Sequence, residues 1–142
     1  MIGLFDALLD RLIARPADLV AEDEGQRLTA RELTALVKEE MAALKAAKVH
    51  PGEPVFLACS NRATDIAGFL AISSSGAVVV PVHRDATEAT LMRLRAATCA
   101  RITVNGRPDL PTLLPRKMVS VQGDPPKHRT MLEEAAAVVF TS

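Results

Sequence analysis

Apolar residues run almost without a break through Pro54–Cys59 and again through Ala77–Val82. Between them the pattern changes to spacings of three and four, at Ile66, Phe69, Leu70 and Ser73. An unalternating apolar run marks a strand buried on both faces, and the spacing between marks a helix. The segment therefore predicts a strand, a crossover helix and a second strand of a parallel sheet with helices on both sides. Gly76 stands where that helix must end and permits a left-handed cap. Pro81 has no amide to give to a ladder and is expected at the end of its strand.

The flanking patterns extend this unit. Leu4, Leu8, Leu12 and Ile13 form one stripe of a first helix over residues 3–14, stopped by Pro16 and packed on the body. Leu19–Asp23 and Gln26–Thr29 read as a hairpin turning at Glu24-Gly25. Thr29 and Glu32 have the spacing of a capping box, which opens a helix to about Ala46. Its Leu33, Leu36, Val37, Met41 and Leu44 point inward; Lys38, Glu39, Glu40 and Lys45 face water. The turn His50-Pro51-Gly52 precedes the first core strand. After Val82 a loop, His83 to Thr87, leads into a helix to about Ala97 with Leu91, Leu94 and Ala97 on one side. Further strands are expected near residues 101–104, 118–121 and 136–140, with a short helix over 109–114 and a polar loop over 122–130. The predicted fold is a single α/β domain over residues 1–142: three layers, a mostly parallel sheet and a small N-terminal hairpin.

Composition narrows the functional classes. The 17 basic and 17 acidic residues cancel, so no global field draws nucleic acid or an anionic membrane. Trp and Tyr are absent, which removes the usual stacking platforms for bases. The N-terminus lacks the pattern of a secretory leader, and no apolar run reaches the roughly 18 residues of a membrane span. Cys59 and Cys99 both lie in apolar sequence and are expected as buried free thiols of a cytoplasmic chain.

Few residues invite chemistry. His50, His83 and His128 fall in three separate loops without a carboxylate or cysteine at metal-ligand spacing. His83 and Arg84 follow the carboxyl end of a core strand, where α/β folds place ligands, and form a candidate substrate-side loop. Histidine titrates near neutrality, and arginine suits a carboxylate or phosphate. Ser73, Ser74 and Ser75 end a helix rather than form a strand-to-helix elbow, so they are not nucleophiles. Asp109, Glu133 and Glu134 have no paired spacing for acid–base work, and Lys127-His128-Arg129 is read as a solvated basic loop. No complete glycine-rich phosphate cradle occurs.

Several short motifs in order carry a family likeness. Leu28, Thr29, Glu32 and Leu33 form a helix start; Val49, Pro51, Gly52 and Glu53 form a turn; Gly76 to Pro81 form a strand. Ala137-Val138-Val139-Phe140-Thr141-Ser142 resembles a strand leading into a phosphate loop. Together these resemble the N-terminal part of the adenylate-forming acyl-CoA synthetases, from about Leu4 to Ser142. The resemblance implies a parent enzyme that joins a carboxylic or fatty acid to ATP as an acyl-adenylate, with Mg, and passes the acyl group to CoA. It implies that Thr141 and Ser142 begin the ATP phosphate loop and that the chain is truncated before that loop is complete. The fragment alone is then expected to be inactive, with no catalytic, metal or cofactor machinery of its own. Its expected partners are the remaining ATP-site subdomain and the C-terminal domain of the parent, or a second copy through an exposed C-terminal strand around Val138 and Phe140. His83 and Arg84 depart from the asparagine-proline common in the family. Two other readings stay open: a stand-alone binding or regulatory protein that keeps the fold, and a flavodoxin-like nucleotide binder using Cys59-Ser60-Asn61-Arg62.

Overall fold

The computed structural model describes residues 4–59, 61–104 and 119–121. Helix α1 (Leu4–Ala14) leads into a hairpin of β1 (Leu19–Glu22) and β2 (Arg27–Thr29), then α2 (Ala30–Ala46). The core unit is β3 (Pro54–Cys59), α3 (Thr64–Ser74) and β4 (Val78–His83), followed by α4 (Glu88–Thr98), β5 (Ile102–Val104) and β6 (Val119–Val121). The main sheet has the order β4-β3-β5-β6. β3 pairs in parallel with β4 and β5, whereas β6 runs antiparallel to β5. The hairpin forms its own two-stranded antiparallel sheet. The short helix and last strand expected at residues 109–114 and 136–140 lie outside the described residues.

Burial explains the layers. Val55, Leu57 and Val79 face one cluster with Leu33, Val37 and Leu44 of α2 and Ala67, Leu70 and Ala71 of α3. Phe56, Val80 and Val82 face a second cluster on the other side, covered by Leu91 and Leu94 of α4. Successive strand residues point to opposite faces, so an unalternating run is what a sheet covered on both sides requires. Burying each such Val, Leu or Phe contributes about 1.5–3 kcal/mol. Arg95 of α4 also lies over the Phe56 ring, 5.7 Å from its centroid.

The local signals act as anticipated at two places. Thr29 and Glu32 close the capping box, each bonding the backbone of the other, and so fix the start of α2. Gly76 has φ +79, and no neighbouring atom lies within 4 Å of where a Cβ would sit, so conformation rather than space selects glycine there.

Other positions correct the pattern. Pro81 lies inside β4, opposite Leu57, rather than at its end. The Val78 N–H donates to Glu53 and the Arg84 N–H to Cys59, so even-numbered amides face β3. The Pro81 nitrogen faces away from β3, on the side of β4 that has no strand neighbour among the described residues. Glu40 is buried, not solvated, because it shares the stripe of Leu33, Val37 and Leu44. On α4 the inward position is Thr98 rather than Ala97. On α1 it is Leu9 and Leu12 that pack on the core, with Leu8 and Ile13 exposed. Cys59 is half-buried, and Cys99 is exposed because it caps α4 in the left-handed conformation, φ 58.

One contact ties the unit across the chain. Glu53 is fully buried, and Arg101, just before β5, is 6% exposed. Arg101 Nε lies 2.9 Å from Glu53 Oε2, and its Nη2 lies 3.1 Å from Oε1. The same Nη2 donates to the carbonyl of Lys48 at 2.9 Å, at the end of α2. Glu53 Oε1 also accepts the His50 N–H at 3.1 Å. The pair thus joins the α2 terminus, the turn before β3 and the start of β5.

Candidate functional site

Because β3 and β4 are parallel, both carboxyl ends emerge on one side. The Arg84 N–H to Cys59 C=O bond, 3.0 Å, extends their ladder one step beyond β4. The chain then turns twice: through Asn61, φ 56, into α3, and through Arg84-Asp85 toward α4. The hairpin tip stands opposite. Between them lies an open cleft of about 1160 Å³, lined by tip residues 22–26, by Cys59, Asn61 and Arg62, and by His83, Arg84 and Asp85.

One side chain holds the two walls together. Asp23 Oδ1 accepts the Gly25 N–H at 2.8 Å, closing the tip turn. Its Oδ2 accepts the Ala63 N–H at 2.7 Å, forty residues away. Ala63 precedes α3 and provides no side-chain cap; the hairpin carboxylate takes the Ala63 amide itself, while the Asp65 and Ile66 amides bond to the Arg62 and Ala63 carbonyls. The Ala63 amide first, then the Gly25 amide, hold the Asp23 carboxyl below its ordinary range, with Arg62 adding a smaller effect. Asp65 Oδ2 accepts the Arg62 N–H at 3.1 Å, which orders the same turn.

The opposite wall is polar and open. His83 Nδ1 accepts the Asp85 N–H at 3.1 Å, which leaves the proton of the neutral ring on Nε2. Asp85 Oδ2 stands 3.7 Å from Nδ1, in place to pair with the ring once protonated. Arg84 Nε lies 3.6 Å from Asp85 Oδ1. The cleft therefore sets an acidic tip, Glu22 to Glu24, against a wall carrying Arg62, His83 and Arg84. Burial, and then the nearby Asp65 carboxylate, push the Cys59 thiol up, which disfavours the reactive thiolate. Exposed, charged side chains around an unactivated thiol can bind and orient a polar ligand; they do not form a nucleophile–base pair.

Of the residues singled out from sequence, His83 and Arg84 do line this cleft. His50 is exposed in the turn before β3, away from the cleft lining. Ser73 to Ser75 lie at the opposite end of α3, where the Ser75 hydroxyl donates to the Ala71 carbonyl. Thr141, Ser142, His128 and the strand around Val138 and Phe140 lie outside the described residues. Asp23 carries the cleft geometry but carries no local sequence signal beyond a polar turn. At the amino end of α3 the Ala63 and Arg62 amides already have carboxylate partners, Asp23 and Asp65, rather than facing an external phosphate. Among the described residues, no group of three or more His, Cys, Asp or Glu side chains could hold a metal ion. No helix among the described residues is long and apolar enough to cross a membrane.

The model of the AMP-binding enzymes matches residues 9–141. The chain belongs to that family. No curated protein matches it, but solved structures do. IdnL1 superposes with a TM-score of 0.73 over 99% of this chain and 31% of its own, at 22% identity. The N-terminal subdomain of Klebsiella oxytoca NpsA, in complex with 3-hydroxyanthranilyl-AMSN, is 25% identical, with a TM-score of 0.62 over 73% of this chain and 27% of its own. The anthranilate CoA ligase AuaEII, in complex with anthranoyl-AMP, is 21% identical, with a TM-score of 0.63 over 69% of this chain and 19% of its own. The chain thus spans less than a third of each of these proteins. Its α/β fold is that of N-terminal subdomains of adenylate-forming enzymes.

Proposed function

We propose that this chain is the amino-terminal part of an enzyme that activates a carboxylic acid as an acyl-adenylate and passes the acyl group to a thiol. The observation that carries this is the AMP-binding enzyme match over residues 9–141 of 142. On this reading ATP supplies the adenylyl group and magnesium offsets its phosphate charge. Both are held by parts of the enzyme other than the described residues, and Thr141 and Ser142 begin the phosphate loop. The residues described here provide the scaffold and one polar cleft. Its His83–Asp85 wall lies at the carboxyl ends of β3 and β4, where a ligand's anionic or polar group can meet Arg84 and the His83 ring. The chain alone is inactive on this reading, because it spans less than a third of each adenylate-forming structure it matches.

Coenzyme A is the first choice of acceptor, supported by the likeness to a protein described as an anthranilate CoA ligase. A carrier-protein thiol is the second. NpsA also matches as part of NpsA-ThdA, an artificially fused adenylation–PCP di-domain NRPS.

The test is acid-dependent pyrophosphate release over a panel of fatty, aromatic and amino acids. It is run on the 142-residue chain and on the longer protein to which the proposal assigns it. Activity in the longer protein with none in the short chain supports the proposal. Acid-dependent release from the 142-residue chain alone, or none from the longer protein with any acid, overturns it. Adding CoA or a pantetheinylated carrier protein then separates the two acceptors.

A further inference from the structure

We infer that Asp23 is an internal anion that occupies the amino end of α3 and thereby positions the hairpin tip as one wall of the cleft. This does not depend on which acid or thiol the enzyme uses. The hairpin belongs to its own sheet, and no ladder joins it to β3 or β4. Its base is anchored: Ala21 and Leu28 are buried in the core, and the Ala30 and Arg31 amides bond back to Asp18 and Pro16. Its tip is different. Glu22, Glu24, Gly25 and Gln26 are all exposed, so apolar packing does not fix their place. The Asp23 carboxylate does, through one oxygen to the tip's own Gly25 amide and the other to Ala63 across the cleft.

The chemistry favours a carboxylate at this point. The first amides of a helix lack carbonyl partners, and a negative charge complements their dipole. Ala63 cannot cap α3 from its own side chain, and the adjoining turn carries Arg62. A carboxylate can also accept from two amides at once, whereas an asparagine side chain has one acceptor oxygen. Asp23 thus does two jobs: it closes the tip turn and docks that turn on α3. In doing so it takes the Ala63 amide, while the His83–Asp85 wall stays exposed on the cleft.

The experiment is NMR on the 142-residue chain. In the wild type, a through-hydrogen-bond coupling should link the Ala63 nitrogen to the Asp23 carboxyl carbon. Asp23→Ala should speed Ala63 amide exchange by about 10- to 100-fold, the range for a lost charge-assisted bond, and remove tip-to-α3 nuclear Overhauser contacts. The Phe56 and Val80 amides report whether the sheet stays intact. Millimolar formate should slow Ala63 exchange again in Asp23→Ala and leave the wild type unchanged. Asp23→Asn should be intermediate, because its single acceptor oxygen serves one of the two amides. No coupling in the wild type, or Ala63 exchange unchanged in Asp23→Ala, overturns the inference. If Asp23→Ala does not fold, the wild-type coupling and Asp23→Asn decide it. Formate failing to slow exchange in a folded Asp23→Ala would also count against an anion seat.

Discussion

Removing one half of the Glu53–Arg101 pair should be the most damaging single change in the described part of this chain. With Glu53 fully buried and Arg101 6% exposed, neither charge can fall back on water. At the 2.9 Å separation, Coulomb's law with an effective dielectric near 20 gives roughly 6 kcal/mol of attraction. Desolvation of several kcal/mol per ion cancels most of that, so the intact pair is worth little beyond the backbone groups it satisfies. Arg101→Met leaves the Glu53 carboxylate buried alone and also strips the donor from the Lys48 carbonyl. We expect a loss of about 3–5 kcal/mol, against a typical total of about 5–15 kcal/mol. At about 3 °C per kcal/mol for a chain of this size, Tm should fall by roughly 10–15 °C. Glu53→Met should be similarly costly, since it strands the guanidinium. The double variant Glu53→Met with Arg101→Met removes both charges. Its cost should be about 1–3 kcal/mol, for the Lys48 carbonyl and the His50 amide left without partners. Urea unfolding followed by circular dichroism gives all four corners of the cycle. Single variants within about 1 kcal/mol of wild type, or costs that add, would refute the reasoning.

Three further outcomes follow from the same geometry. Gly76→Ala should cost about 1–2 kcal/mol by thermal denaturation, through its positive φ alone, because no atom crowds the added Cβ. The Asp23 and Glu32 carboxyls are both held below their ordinary values. For Asp23 the cause is chiefly the Ala63 amide; for Glu32 it is the Thr29 amide and then the Thr29 hydroxyl. Their contribution is therefore complete above the unfolded values of about 4 and is lost as pH falls through the lower folded ones. Carbon-detected titration should show both shifts, and either group titrating at or above its ordinary value contradicts this. An alkylating thiol reagent should modify exposed Cys99 before half-buried Cys59, whose thiol is pushed up; mass spectrometry of peptides at short times reads the order.

Much of the fold was legible because the signals are local and repeated. The Thr29–Glu32 box, the Gly76 stop and the two apolar runs at Pro54–Cys59 and Ala77–Val82 each declare an element within a few residues. Most of the differences share one cause: apolar character is an incomplete proxy for burial. Glu40 and Thr98 lie at helical spacing on inward stripes although polar, whereas Ile13 and Cys99 are apolar and exposed. Pro81 differs for another reason: strand parity, which turns its nitrogen away from β3, depends on a partner strand. The candidate loop His83–Arg84 was legible from topology alone, since ligands in α/β folds gather beyond strand carboxyl ends. Asp23 on Ala63 and Glu53 on Arg101 were not. Their partners lie 40 and 48 residues away, and Asp, Glu and Arg are ordinary surface types in sequence.

That division separates what the scaffold asks of a sequence from what the cleft asks. The TM-score of 0.73 to IdnL1 comes with only 22% identity over nearly the whole chain. Layered packing asks for apolar character at set spacings and tolerates many sequences that provide it. The cleft asks for more, since each polar contact needs a particular atom at about 3 Å. Glu22, Glu24, Arg62, His83 and Arg84 are exposed, so replacing any of them costs the fold little. Asp23 and the Glu53–Arg101 pair are tied instead to backbone amides and carbonyls of the scaffold itself. Arg84→Ala should therefore leave Tm within about 2 °C of wild type, as for surface positions generally. In the longer protein it should raise KM for the ligand that meets this wall, with kcat little changed. A drop in Tm comparable to that of Arg101→Met would place Arg84 in the scaffold instead. Unchanged KM values for acid, ATP and thiol would remove the His83–Asp85 wall from the binding surface.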